Sequence, residues 1–188
     1  MTLPDFAIEI TKQGWINDEP ESARYDPCSH GDIRVVIGGR VIAPGDGSGD
    51  YTISQSALAL LRTLESDHSR ERPIIDHRGI GTDHLVMHCG QLLMGSCPIG
   101  IDWSVAHIPG RVRQSDIVRC DSIKAKPVRF QGLVAEVAED EYRRQVVAFA
   151  EKAKEPFLGI EKDLDDLDGP LYEEFWQEYE ERLSRGTR

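Results

Sequence analysis

The chain has 188 residues with 22 basic and 33 acidic side chains, a net charge of −11 with His neutral. That length suits one ordinary domain, and 39% hydrophobic with 29% charged residues is a globular balance, which excludes a disordered chain. So acidic a surface repels nucleic-acid phosphates and anionic lipids, so neither nucleic acid nor membrane is an expected partner.

From the N-terminus, Phe6 to Ile10 alternates apolar and polar residues and predicts a short strand. Residues 11–31 read as loop. Two β-rich runs, 32–37 and 40–43, flank Gly38-Gly39. That is a hairpin signal, because a type I′ turn needs positive φ at both central residues. After the Gly- and Asp-rich loop 44–50, a helix is expected, capped by Thr52 or Ser54 and running to about Asp67. Its Ala57, Leu58, Leu60, Leu61 and Leu64 are abundant enough to place it across a sheet.

Residues 72–138 return to a β-like pattern. Runs 85–88 and 91–94 flank Cys89-Gly90, and runs 101–107 and 111–118 flank Ile108-Pro109-Gly110, so two hairpins are expected. In the second, Trp103, Val105 and His107 share one face, and Asp102, Ser104 and Ala106 the other. A last strand is expected over 127–137. Two helices close the chain. Tyr142, Val146, Phe149, Ala150 and Ala153 form the stripe of the first, which Pro156 stops. The second starts near Gly169-Pro170 and carries Leu171, Tyr172, Phe175, Trp176, Tyr179 and Leu183.

The expected fold is therefore α+β: a mostly antiparallel sheet, one helix after the first hairpin, and two C-terminal helices. Residues 1–138 would form the core domain, with 139–188 an acidic helical extension packed on it. The charge is uneven. Residues 136–188 hold 16 acidic and 8 basic side chains, net −8, against net −3 for the rest. The basic cluster Arg111, Arg113, Arg119, Lys124, Lys126 and Arg129 could bind an anionic ligand or pair with that acidic end, and the internal pairing is slightly favoured.

Four cysteines, Cys28, Cys89, Cys97 and Cys120, are too few and scattered for a disulfide framework, so reduced thiols are expected. The first ten residues lack the basic and apolar regions of a secretory leader, and no apolar run nears the ~20 residues of a bilayer span. A cytoplasmic location follows as an expectation.

Zinc takes four S or N ligands in a tetrahedron, and the best set this chain offers is Cys28, His30, Cys89 and Cys97, although it has no CxxC pair. His84 and His88, read as strand residues, stand about 13 Å apart and cannot chelate one ion. Cys97, in the loop 95–100, can be read as a nucleophile with His88 or His107 as base and Asp102 as orienter. Asp46 to Asp50 has too few carboxylates for a calcium loop. At the C-terminus, Tyr172, Phe175, Trp176 and Tyr179 stand among Glu173 and Glu174, an arrangement of interface anchors in a negative surface. The leading functional expectation is a non-enzymatic bacterial-type module that docks a basic protein, as immunity proteins and antitoxins do, or forms a homodimer through the same rings. A small zinc- or thiol-dependent enzyme is the alternative.

Overall fold

A computed structural model describes residues 2–16, 19, 21–75, 79–82, 84–88 and 97–188. The fold is α+β, with two antiparallel sheets and four helices among the described residues. In the first sheet β2 (His30–Ile37) is central. It pairs with β1 (Phe6–Gly14) on one side, and with β3 (Arg40–Pro44) and β4 (Tyr51–Thr52) on the other. Gly38 and Gly39 turn the β2–β3 hairpin with φ of 58° and 69°, the positive values expected of that turn. Strand β1 runs four residues past the alternating segment, because Lys12, Gln13 and Gly14 pair with Asp32, Gly31 and His30 after a bulge. Helix α1 (Ser22–Tyr25) is one turn in the segment read as loop.

Every residue of α2 (Ile53–Arg62) is buried, polar ones included. Each polar group has a partner, as burial requires. Ser54 Oγ accepts from Ser29 N (3.2 Å). Ser56 Oγ donates to Thr52 O (2.7 Å) and accepts from Met87 N (3.0 Å). Thr52 stands at the N-cap without capping, because its hydroxyl donates to Met87 O (3.0 Å) instead. The helix ends at Arg62, short of Asp67, because the chain beyond it joins the second sheet: His68 and Val105 exchange both backbone hydrogen bonds.

That sheet centres on the hairpin of β6 (Gly100–Ile108) and β7 (Arg111–Cys120). Strand β5 (Val86–Met87) lies on one side. On the other, the single strand expected over 127–137 is two short ones, β8 (Val128–Arg129) and β9 (Ala135–Ala138), which pair with opposite ends of β7. The expected hairpin through residues 91–94 lies outside the described residues. A register shift between Asp102 and Ser104 interrupts the face alternation, and Asp102 and Trp103 are both buried.

Helix α3 (Glu139–Lys154) buries the five residues of the expected stripe and no others. Its first turn is acidic and its last basic, both favourable to the helix dipole. A 3₁₀ turn (Glu155–Phe157) follows, and α4 (Asp168–Gly186) closes the chain. Both long C-terminal helices pack on α2, and one hydrophobic core runs from Phe6 through Trp103 and Tyr142 to Leu183. At about 1.5–3 kcal/mol per large apolar side chain buried, this core is the main stabilising term. Among the described residues no helix is long and apolar enough to cross a membrane.

Candidate functional site

Helix α4 turns most of its aromatics inward. Phe175 and Tyr179 are buried in the protein's own core, and Tyr179 Oη donates to Ala150 O (2.7 Å). Tyr172 and Trp176 are half-buried, while Glu173 and Glu174 are exposed. The rings and the carboxylates proposed as one surface thus point different ways. The helix is held on α2 by a bidentate ion pair: Arg62 Nε and Nη2 donate to Glu178 Oε1 (2.8 Å) and Oε2 (2.6 Å). Arg182 Nε donates to Glu178 Oε1 (2.7 Å), and Arg185 Nε to Glu65 Oε1 (2.6 Å). Burial by itself would raise the Glu178 carboxyl, but the two guanidiniums hold it down at about 2.

The expected pairing of the acidic end with the basic stretch 111–129 is met at one place, where Arg111 faces Glu136 on the neighbouring strand β9, while Arg119 faces Asp121 just past the end of its own strand. The cations that meet α4 come from α2, α3 and α4 itself: Arg62, Lys154, Arg182 and Arg185. Strand β7 is flanked by its own sheet neighbours, so Arg111 and Arg119 find carboxylates close by. At the edge of the docked face, α4 borders a groove of about 500 Å³ whose lining includes Ile75, Glu174, Glu178, Glu181, Arg182 and Arg185. Ile75 is 61% exposed at its rim.

The candidate zinc ligands divide between different partners. Cys28 Sγ accepts from Gln55 Nε2 (3.4 Å), and burial, with the Asp26 charge beside it, pushes its thiol up to about 12. His30 Nε2 lies 3.1 Å from Asp26 Oδ2, and this hydrogen bond raises the imidazole pKa. Cys89 falls outside the described residues. Cys97 Sγ lies 3.9 Å from His88 Nδ1. Among the described residues no group of three His, Cys, Asp or Glu could hold a metal ion.

His88 also lines a polar cleft of about 320 Å³ with Asp32, Asp50, Tyr51, Arg119 and Asp121. Its walls are built by carboxylates on backbone: Asp32 accepts from Gly47 N (2.6 Å) and Ile33 N (2.8 Å), and Asp46 from Ser48 N (3.1 Å). Burial pushes the Tyr51 phenol up to about 12. Cys97 with His88 is the described pair suited to thiol chemistry, the imidazole serving as base. His107, the other base considered, and Asp102, the orienter considered, are engaged elsewhere. Buried His68 accepts from Ile74 N at Nδ1 (3.1 Å), so its Nε2–H donates to Asp102 Oδ1 (2.9 Å). His107 pairs with Asp67 (2.9 Å). Both are pins between the 63–75 segment and β6.

Sequence reasoning missed Lys162. Its ammonium sits 3.8 Å from the centre of the Trp15 ring and donates to Ala23 O and Asp26 O, each at 2.6 Å. The signal was present: Lys162 is the one basic residue between Lys154 and Arg182. Comparison with protein-family models, curated proteins and solved structures returns no match.

Proposed function

We propose that the protein is a stoichiometric docking module, which binds a basic protein along the outer face of α4 and neutralises it as an immunity protein or antitoxin would. The observation that supports this most is the groove beside α4, where the carboxylates of Glu174 and Glu181 stand next to the exposed Ile75. Carboxylates steer a cationic partner, and an apolar rim residue gives it a desolvated contact. Glu173 extends the negative surface on the same exposed helix. The inward rings Phe175 and Tyr179 serve here to fix the helix that presents those charges. Free thiols at Cys28, Cys97 and Cys120 suit action in a reducing cytoplasm.

The test is recovery of the partner on immobilised protein, its identification by mass spectrometry, and titration of the purified pair. A basic partner is expected, with affinity falling about tenfold or more when salt is raised from about 0.1 M, where the Debye length is about 10 Å, to several-fold higher. Glu174→Lys with Glu181→Lys should weaken binding at least as much, and Cys97→Ser should leave it unchanged. Salt-insensitive binding, or loss of binding in Cys97→Ser alone, would sink the docking reading and favour thiol chemistry at the His88 cleft.

A further inference from the structure

Residues 158–167 cross from the 3₁₀ turn to α4 with their apolar ends outward: Leu158 is 65% and Leu167 73% exposed. Ile160 and Leu164 between them are half-buried, so apolar burial holds this strap only in part. Asp163 N donates to Arg24 O (2.8 Å), and an exposed Arg24–Asp163 pair at 3.7 Å adds little in water. The main anchor is Lys162. Its ammonium faces three rings, with centroids 3.8 Å away for Trp15, 4.9 Å for Phe157 and 5.8 Å for Tyr172. The rings buttress one another: Phe157 meets Trp15 edge-on at 4.8 Å and Trp176 at 4.6 Å, and Trp176 meets Tyr172 at 6.1 Å. Two carbonyls, Ala23 O and Asp26 O, complete the socket. Burial pulls the amine down to about 8, so at neutral pH the occupant is still mainly a cation.

This chemistry is selective. Ring faces attract any cation through their quadrupoles. The two carbonyls require N–H donors, which a quaternary ammonium lacks, and leaving them bare would forfeit two charge-assisted hydrogen bonds. Lys162 is half-buried and the socket is assembled from three separate segments, β1's end, α1 and the C-terminal helices. An occupant can therefore leave without unfolding the core. Around the socket the strap carries Glu161, Asp163, Asp165 and Asp166, which favour a ligand with a second positive charge.

We propose that Trp15, Phe157, Tyr172 and the carbonyls of Ala23 and Asp26 form a binding site for a primary alkylammonium, the end group of a linear diamine or polyamine, which Lys162 occupies in the free protein. The ligand competes with a tethered side chain whose effective concentration is on the order of millimolar. Displacing it frees the strap. This site shares no lining residue with the α4 groove, so it stands or falls apart from the docking reading.

The experiment uses the full chain, with cadaverine as probe, tetramethylammonium as the quaternary control and sodium chloride at matched ionic strength. Backbone hydrogen exchange of residues 158–167 reads the strap in the wild-type protein, and isothermal titration reads binding to Lys162→Ala. Lys162→Ala should bind cadaverine about tenfold more tightly than wild type and about tenfold more tightly than tetramethylammonium. Adding Trp15→Ala should remove that binding. In wild type, cadaverine at a few tens of millimolar should speed exchange of the strap, and salt alone should not. Equal affinity of Lys162→Ala for the two cations would overturn the proposal, as would wild-type exchange indifferent to cadaverine. A response to Nα-acetyl-lysine amide, whose side-chain ammonium is intact, but not to cadaverine would move the ligand to a protein side chain and overturn the polyamine assignment. Lys162→Gln, which keeps donors for the two carbonyls, serves if the alanine variant does not fold.

Discussion

Glu178 shows how much a single side chain can hold in this fold. Its carboxyl and the Arg62 guanidinium are only 15% and 8% exposed, so removing Glu178 leaves Arg62 buried without this counter-charge, and removing Arg62 leaves the buried carboxylate with Arg182 alone of its two guanidiniums. Such a break costs about 3–5 kcal/mol, whereas replacing both partners by apolar residues is much milder. Glu178→Gln and Arg62→Met should each lower the urea midpoint strongly, and Arg62→Met with Glu178→Leu should recover much of the loss. The pH dependence has a definite sign. The folded carboxyl at about 2 lies below its ordinary 4.5, so its contribution is fully present above about pH 5 and fades as pH falls toward 2. Urea midpoints taken between pH 5 and 2 should decline more steeply for wild type than for Glu178→Gln. Parallel declines would show that another carboxylate dominates. Neither Arg62 nor Glu178 is conspicuous in the sequence, where both read as surface charges, because the partner stands 116 residues away.

At the scale of elements, legibility followed periodicity. Helix α3 presents one apolar face to one neighbour, and its five-residue stripe was readable from spacing alone. Helix α2 is enclosed on all sides, so its Ser54, Gln55, Ser56 and Arg62 are core residues that no stripe could mark. Strand β1 was read short because Lys12 and Gln13 break the alternation, yet backbone pairing does not depend on side-chain pattern. The close approach there rests on Gly31, where an added Cβ would stand 2.0 Å from Lys12 O. Gly31→Ala must push β1 from β2 near the bulge, at about 1–3 kcal/mol as for other overpacked sites. A thermal midpoint lowered by several degrees is expected, with the β2–β3 hairpin amides still protected from exchange. An unchanged midpoint would mean that the two strands part easily at this end.

For the whole molecule, the core is continuous from β1 to α4, with Phe6 5.0 Å from Tyr142 and 6.4 Å from Trp103 between ring centres. Because α3 and α4 share that core with both sheets, residues 139–188 should unfold together with the rest. Urea transitions followed by far-ultraviolet circular dichroism and by tryptophan fluorescence are expected to coincide. Two separated transitions would mark residues 139–188 as an independent unit. The sequence by itself determined the α+β class, the two glycine-turned hairpins, the α3 stripe and the acidic bias of the C-terminal end, since each is a matter of local spacing or composition. Only the tertiary structure decided which charges meet and which rings face inward. Arg62 reaches Glu178, Lys162 enters the rings of Trp15, Phe157 and Tyr172, and Cys97 nears His88, while Cys28 is sealed beneath Gln55. Those outcomes depend on which distant segments pack together, and a charge or thiol carries no periodic signature of its partner.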